Sequence, residues 1–332
     1  MSRTAGWVRP AGGAVILAVL VWRLGTDAFL HGLRTVRCRP LLAAAAITGA
    51  TTVCSAMRWR LVARGLGAEL RLPAAIGYYY RSQFLNSALP GGVLGDVHRG
   101  LGQGRASGDV GRGLRAMVWD RAAGQAVQLL LAVAVLAGFA SPLRPVLPVL
   151  GGCFVLLAGL LVALLAATRS RPPRREARPP CREGTSRWRM CRLARLIRTT
   201  RADLAVLRGA SGVLIALSSA AVVAGHAAVF LIAARTAGTA GSPGLLLPLA
   251  VLVLLGMAVP LNVGGWGPRE GVAAWAFGAA GLGMSQGVAV ATVYGVMSFV
   301  ATLPGAAVLV ADLLRRGRVR PLVPQLPVGA HG

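Results

Sequence analysis

Three short segments of this chain set an acid beside an arginine next to long apolar runs. The first is Asn86-Ser87-Ala88-Leu89-Pro90-Gly91-Gly92-Val93-Leu94-Gly95-Asp96-Val97-His98-Arg99. The second is Asp120-Arg121. The third is Pro260-Leu261-Asn262-Val263-Gly264-Gly265-Trp266-Gly267-Pro268-Arg269-Glu270. A charge placed centrally in a membrane costs about 2.5–3.5 kcal/mol on translocon scales. Arginines kept in such surroundings suit a phosphate, which guanidinium binds in bidentate fashion. The nearby acids Asp96, Asp120 and Glu270 suit the role of holding those arginines or taking up a proton.

Local chemistry says how each segment should be built. Pro90 and the glycines Gly91, Gly92 and Gly95 break a helix begun at Pro73. If a helix restarts near Gly95, Asp96 and Arg99 stand three residues apart on one face. The other reading is a cytosolic loop with a surface ion pair. Asp120 falls near the start of an apolar block at Met117, where it would favour the helix dipole. Taken alone, Asp120-Arg121 reads as an ordinary interfacial helix start with Arg121 snorkelling to headgroups. In the third segment Gly264, Gly265 and Gly267 form a break, and Pro268 fits the first turn of a new helix. Arg269 and Glu270 then lie in that turn, whose free N–H groups suit an anion. The plainer reading is a turn between two helices.

The elements that must carry these segments are apolar. The chain has 332 residues, 55% of them hydrophobic and only 14% charged. Its mean hydropathy is +0.64. A helix crosses the hydrocarbon in about 20 residues, and runs of that size fall at residues 40–57, 117–140, 146–167, 210–234, 243–261 and 286–310. A first span over 11–29 is weakened by Arg23 and Asp27, and it reads as retained rather than cleaved. Segments 73–94 and 271–282 are apolar but interrupted, the former as a re-entrant hairpin. The expected fold is an all-α, polytopic membrane helix bundle of about eight spans or span-equivalents with two re-entrant, broken-helix elements.

All 36 basic residues are arginine, against ten acids, for a net charge of +26. The absence of lysine excludes a Walker lysine and a Schiff-base lysine. The arginines cluster between apolar runs, with thirteen in 169–208, so positive-inside bias accounts for them better than nucleic acid does. The expected layout is a transmembrane domain over 1–313 with a cytosolic Arg-rich loop at 168–208, then a short basic cytosolic tail at 314–332. Arg58, Arg60 and Arg64, like Arg99, Arg105, Arg112 and Arg115, read as cytosolic loop residues. Both termini are expected in the cytoplasm and the protein in the cell (inner or plasma) membrane. Trp22, Trp59, Trp119 and Trp266 read as an interfacial belt. Five cysteines without a Cys-x-x-Cys pair, and four scattered histidines, give no metal site, and no cofactor is expected.

The first and third segments also resemble each other. Each has a proline, a Gly-Gly pair, a further glycine, then an acid and an arginine. Paired Gly/Pro-interrupted segments in the two halves of a chain point to a transporter-type site at a repeat interface.

Taken with Arg58-Trp59 and Asp120-Arg121, these segments resemble the lysylphosphatidylglycerol synthase transmembrane (flippase-like domain) family over roughly residues 10–312. The resemblance implies a bundle with two re-entrant elements that passes a lipid headgroup between leaflets. It implies a stand-alone member without the soluble aminoacyl-transferase domain, so the synthase activity is not carried over. One departure is visible: the family's double glycine usually directly precedes the aspartate, whereas Val93 and Leu94 intervene here.

The expected function is a lipid transporter or flippase moving an anionic or polyprenyl-linked lipid headgroup. Arg99, Arg269 and Arg121 would bind it. Asn86, Asp96, Asp120 and Glu270 would support or couple, and Pro90, Gly91, Gly92, Gly95, Gly264, Gly265, Gly267 and Pro268 would shape the loops. The alternative is a membrane-embedded enzyme or an accessory subunit in lipid or glycan-lipid biosynthesis. Partners expected are membrane lipids, with biosynthetic enzymes or a second copy of the chain as further candidates, and no nucleic acid.

Overall fold

The computed structural model describes residues 37–89, 92–139, 143–149, 209–258 and 266–318, together with residues 151, 152, 156 and 159. The segment 11–29, most of the run 146–167, the loop 168–208, the residues Pro90, Gly91, Gly264 and Gly265, and the last fourteen residues lie outside the described residues.

Helix α1 spans Cys38–Gly65. It is rich in alanine, and Thr51 and Thr52 return their hydroxyls to the backbone, donating to the Thr48 carbonyl at 3.0 and 2.8 Å. It stops where Gly67 takes a φ of 75°, the usual left-handed helix stop. Helix α2 spans Leu72–Ala88 with a proline in its first turn. Leu89 is extended, as the residue before a proline should be. After the break, α3 runs Leu94–Ala106. Helix α4 follows at Val110–Gly138, capped by Asp109, whose side chain accepts the Arg112 N–H at 2.9 Å. Glycine lets α3 and α4 approach closely: a Cβ on Gly104 would lie 2.5 Å from the Val110 Cα.

Among the described residues, the second half follows a similar order. Helix α5 spans Gly209–Thr236, α6 Pro243–Gly256, α7 Pro268–Ala279 and α8 Met284–Arg318. The lengths run 28, 17, 13 and 29 residues in the first half, and 28, 14, 12 and 35 in the second. In each half a short helix restarts after a break. In each, the third residue of that short helix is an acid: Asp96 in α3 and Glu270 in α7.

Helices α1 and α5 pack along each other, and α8 packs on α1, α2, α5 and α7. The apolar core lies mainly between α5, α6, α7 and α8. There Phe230 stacks edge-on to Phe277 with ring centroids 6.3 Å apart and packs against Tyr294 at 5.9 Å. Among the described residues, α1, α4, α5 and α8 are long and apolar enough to cross a membrane. The protein is a helical membrane protein.

Several sequence expectations change here. The first apolar run extends further than its hydropathy suggests, so Arg58, Arg60 and Arg64 belong to α1 rather than to a loop. Arg99 lies in α3, as a helix restarting near Gly95 requires, and Arg105 lies there too; Arg112 and Arg115 belong to α4. Within the run 243–261, α6 ends at Gly256 and is followed by a turn at residues 257–258. Helix α8 continues through Arg318, so the first residues assigned to a basic tail are helical. Trp59 and Trp119 are buried between helices, where packing rather than an interfacial belt holds them.

Candidate functional site

The chemistry gathers where α1, α2, α3 and α4 meet. Asp120 is fully buried. It lies well inside α4, not at a helix start, so the helix dipole does not stabilise it. Guanidinium groups do. Arg58 donates from Nε to Asp120 Oδ1 at 2.8 Å, and Arg99 donates from Nη1 to Oδ2 at 2.8 Å. The Tyr79 hydroxyl donates to the same Oδ2 at 2.8 Å and accepts from Arg58 Nη2 at 3.2 Å. Arg58 Nη1 completes its set on the Ser219 hydroxyl of α5 at 3.2 Å. A buried ion survives only when paired and hydrogen-bonded, and this cluster satisfies both conditions.

Arg99 links this group to Asp96. Its Nη2 donates to Asp96 Oδ1 at 3.2 Å, the three-residue spacing on one helix face. Arg99 is 1% exposed. Its guanidinium lies 4.5 Å from the Trp59 ring centroid and 4.2 Å from that of Tyr79, within the range of a cation–π attraction. Asp96 also accepts from the Ser82 hydroxyl at 3.0 Å, from Asn86 Nδ2 at 3.2 Å, and from Arg121 Nη1. Asn86 does more than hold Asp96. Its Oδ1 accepts the Gly95 N–H at 2.8 Å, capping α3 across the break. A Cβ on Gly95 would collide with the Ser82 carbonyl, so this glycine is needed for α3 to sit against α2. Val93 is the N-cap of α3 and Leu94 its first residue. The two residues that depart from the family pattern are thus the helix start that places Asp96.

The third segment forms a second, smaller group. Gly267 has a φ of 122°, open to glycine alone without strain. Its N–H donates to Glu270 Oε2 at 2.7 Å, and Pro268 opens α7. Glu270, 0% exposed, turns its other oxygen to Arg269, whose Nε lies at 2.8 Å. The Arg269 guanidinium stands 5.2 Å from the Trp266 ring centroid and 5.7 Å from that of Tyr294.

Between the two groups lie two adjoining cavities. The first, about 260 Å³, is lined by Arg58, Tyr79, Asp96 and Arg99. The second, about 270 Å³, is lined by Trp266, Arg269, Gly295 and Ser298. Gln83, Asn86, Arg121, His226, Met257 and Tyr294 line both. Arg121, its side chain 32% exposed, therefore stands in the common wall, with Arg58 and Arg99 on one side and Arg269 on the other. His226 and Tyr294 join across it at 3.1 Å.

Of the residues singled out from sequence, Asn86, Asp96, Arg99, Asp120 and Arg121 belong to one hydrogen-bonded network, and Arg269, held by the buried Glu270, faces the adjoining cavity. Gly92 lines the second cavity. Sequence reasoning missed Arg58 as a site residue, along with Tyr79, Ser82, His226 and Tyr294. It also missed Gly124 and Gly295. A Cβ on Gly124 would lie 2.8 Å from Arg58 Nη1, and one on Gly295 would overlap the Arg269 guanidinium. Each glycine makes the seat for an arginine. The one signal in the sequence was a glycine on the same apolar helix as a retained charge, or on the helix facing it.

A bundle of apolar helices enclosing a polar, arginine-lined chamber defines a class of membrane protein with an internal hydrophilic site. The family model described as the lysylphosphatidylglycerol synthase TM region matches residues 6–305, and the chain belongs to that family. No curated protein is similar enough to count as a match.

Proposed function

We propose that this protein moves a phosphate-bearing lipid headgroup across the bilayer through the two adjoining cavities. The family points to a lipid-related role in the membrane. The observation that carries the reading is the shared wall: Arg121 lines both cavities, with Arg58 and Arg99 on one side and Arg269 on the other. Guanidinium groups at successive positions give a phosphate bidentate partners along a path that would otherwise cross hydrocarbon. In this reading Arg99, Arg121 and Arg269 contact the phosphate. Asp96, Asp120 and Glu270 hold them, and Asn86 keeps the break in shape. The headgroup is that of an anionic or polyprenyl-linked lipid.

An enzymatic role on the same lipid would need a carboxylate free to act as general base. Asp96, Asp120 and Glu270 are each engaged by arginine, which favours transport.

The test is headgroup translocation in proteoliposomes, read by accessibility of a labelled lipid to an external quencher. Arg269→Ala and Glu270→Gln should each abolish translocation while the protein still inserts. Normal translocation by both variants removes this site from the path.

A further inference from the structure

The chamber's charges are unequal, and its carboxylates are hidden. In the first group three guanidiniums, Arg58, Arg99 and Arg121, face two carboxylates, Asp96 and Asp120. That leaves one positive charge. In the second group Arg269 and Glu270 cancel. Asp96 already accepts two hydrogen bonds on each oxygen, from Ser82 and Arg99 and from Asn86 and Arg121. Asp120 accepts from Arg58, Arg99 and Tyr79, and Glu270 from Arg269 and Gly267. Neither Asp120 nor Glu270 lines either cavity. Among the described residues, Asp96 is the one acid that does, and Arg58, Arg99, Arg121 and Arg269 all do.

We infer that the chamber selects a headgroup with one net negative charge, a phosphodiester carrying neutral substituents, and rejects one that adds an ammonium group. The inference rests on the lipid-transport reading and names its substrate class. A phosphodiester supplies the one negative charge the site lacks. An ammonium group brought in beside the phosphate would meet guanidiniums and no free carboxylate. An aminoacylated lipid, the kind for which the family is named, would therefore be a poor ligand for this member. The backbone and amide oxygens of the wall, such as those of Gln83 and Gln125, offer hydrogen bonds but no countercharge.

The experiment is native mass spectrometry of the full chain in detergent. It is titrated separately with short-chain phosphatidylglycerol, phosphatidylethanolamine, lysyl-phosphatidylglycerol and inorganic phosphate. Phosphatidylglycerol should bind about tenfold or more tightly than either amine-bearing lipid, a modest share of the repulsion between like charges near a protein surface. Arg121→Gln should remove most of that preference. Gln125→Glu, which places a carboxylate on the wall of the first cavity, should raise lysyl-phosphatidylglycerol binding. That gain cannot come from misfolding. Equal binding of phosphatidylglycerol and lysyl-phosphatidylglycerol by the parent overturns the charge selection and leaves the transport reading standing. Binding of no phospholipid, or binding untouched by Arg121→Gln, overturns both. Inorganic phosphate competing as well as the lipid would show an ion site only, and would also overturn the inference.

Discussion

Replacing Asp120 by asparagine should expose how much of this bundle depends on one buried carboxylate. The side chain keeps its shape but loses its charge and one acceptor oxygen. In its place stands an amide NH2, a donor facing donors. Arg58 and Arg99, each 2.8 Å from the carboxylate, are then buried with only Asp96 left to the pair. Removing one partner of a buried ion pair costs about 3–5 kcal/mol. The hydrogen bonds give the same scale, since two charge-assisted bonds contribute about 1.5–3 kcal/mol each. We expect Asp120→Asn to lose about 3–5 kcal/mol, measured by reversible SDS titration in mixed micelles. Asp109→Ala is the control: it removes an exposed helix cap at a cost of about 1 kcal/mol. Adding Arg58→Gln to Asp120→Asn should restore part of the loss, because one unpaired charge goes with it, and neighbours in one network are not additive. The asparagine variant should also gain more than the parent from added phosphatidylglycerol, since ligand bound to the folded state stabilises it by mass action. The reasoning fails if Asp120→Asn is no less stable than Asp109→Ala.

Gly295→Ala should insert a methyl group where the Arg269 guanidinium now lies. We expect translocation to fall about tenfold or more, the scale of a small displacement from productive geometry, with size-exclusion profile and helicity unchanged. Asn86→Ala should cost about 1–2 kcal/mol, as loss of a helix cap does, and SDS titration will show it; translocation should fall with it, since Asn86 also holds Asp96. Arg81→Gln breaks the ion pair with Asp312 that joins α2 to α8. Its Arg81 side chain is 10% exposed and its Asp312 side chain 36%, so the loss should exceed that of a surface pair yet stay below that of a fully buried one, about 1–3 kcal/mol by the same titration.

The helical bundle was legible because hydrocarbon leaves a chain few alternatives: every span must be apolar and satisfy its own backbone. The break between α2 and α3 was legible for the same reason, since proline and glycine between apolar runs have no other cheap use there; the segment 271–282, read as interrupted, instead runs unbroken through α7 to Ala279. Glu270 beside Arg269 could be read from adjacency, and Asp96 with Arg99 from helical spacing. What could not be read is pairing between distant helices. Arg58 follows an apolar run and is followed by Trp59 and Arg60, a pattern that positive-inside bias explains equally well. Only the packing of α1 against α2, α4 and α5 turns Arg58 inward. Asp120 lies deeper in its helix than hydropathy suggests, because the apolar block begins at Met117 but the helix does not. The polar turns before it, from Val110, are helical too, since Asp109 caps them.

The two halves solve one problem differently, and that difference is the source of the chamber's charge. A helix that restarts inside a bundle exposes N–H groups that lipid cannot satisfy. In α7 the acid at the third position does this work itself, since Glu270 accepts the Gly267 N–H and uses its remaining oxygen on Arg269. One acid, one cap and one arginine leave no excess charge. In α3 a neutral side chain from the preceding helix, Asn86, takes the exposed Gly95 N–H. Asp96, at the equivalent third position, is thereby released from capping and is free to hold Arg121 as well as Arg99. The first half thus supports an additional arginine in the wall shared by both cavities. Exchanging the capping duty, with Asn86 removed and Asp96 drawn to the backbone, would loosen Arg121 first and Arg99 second.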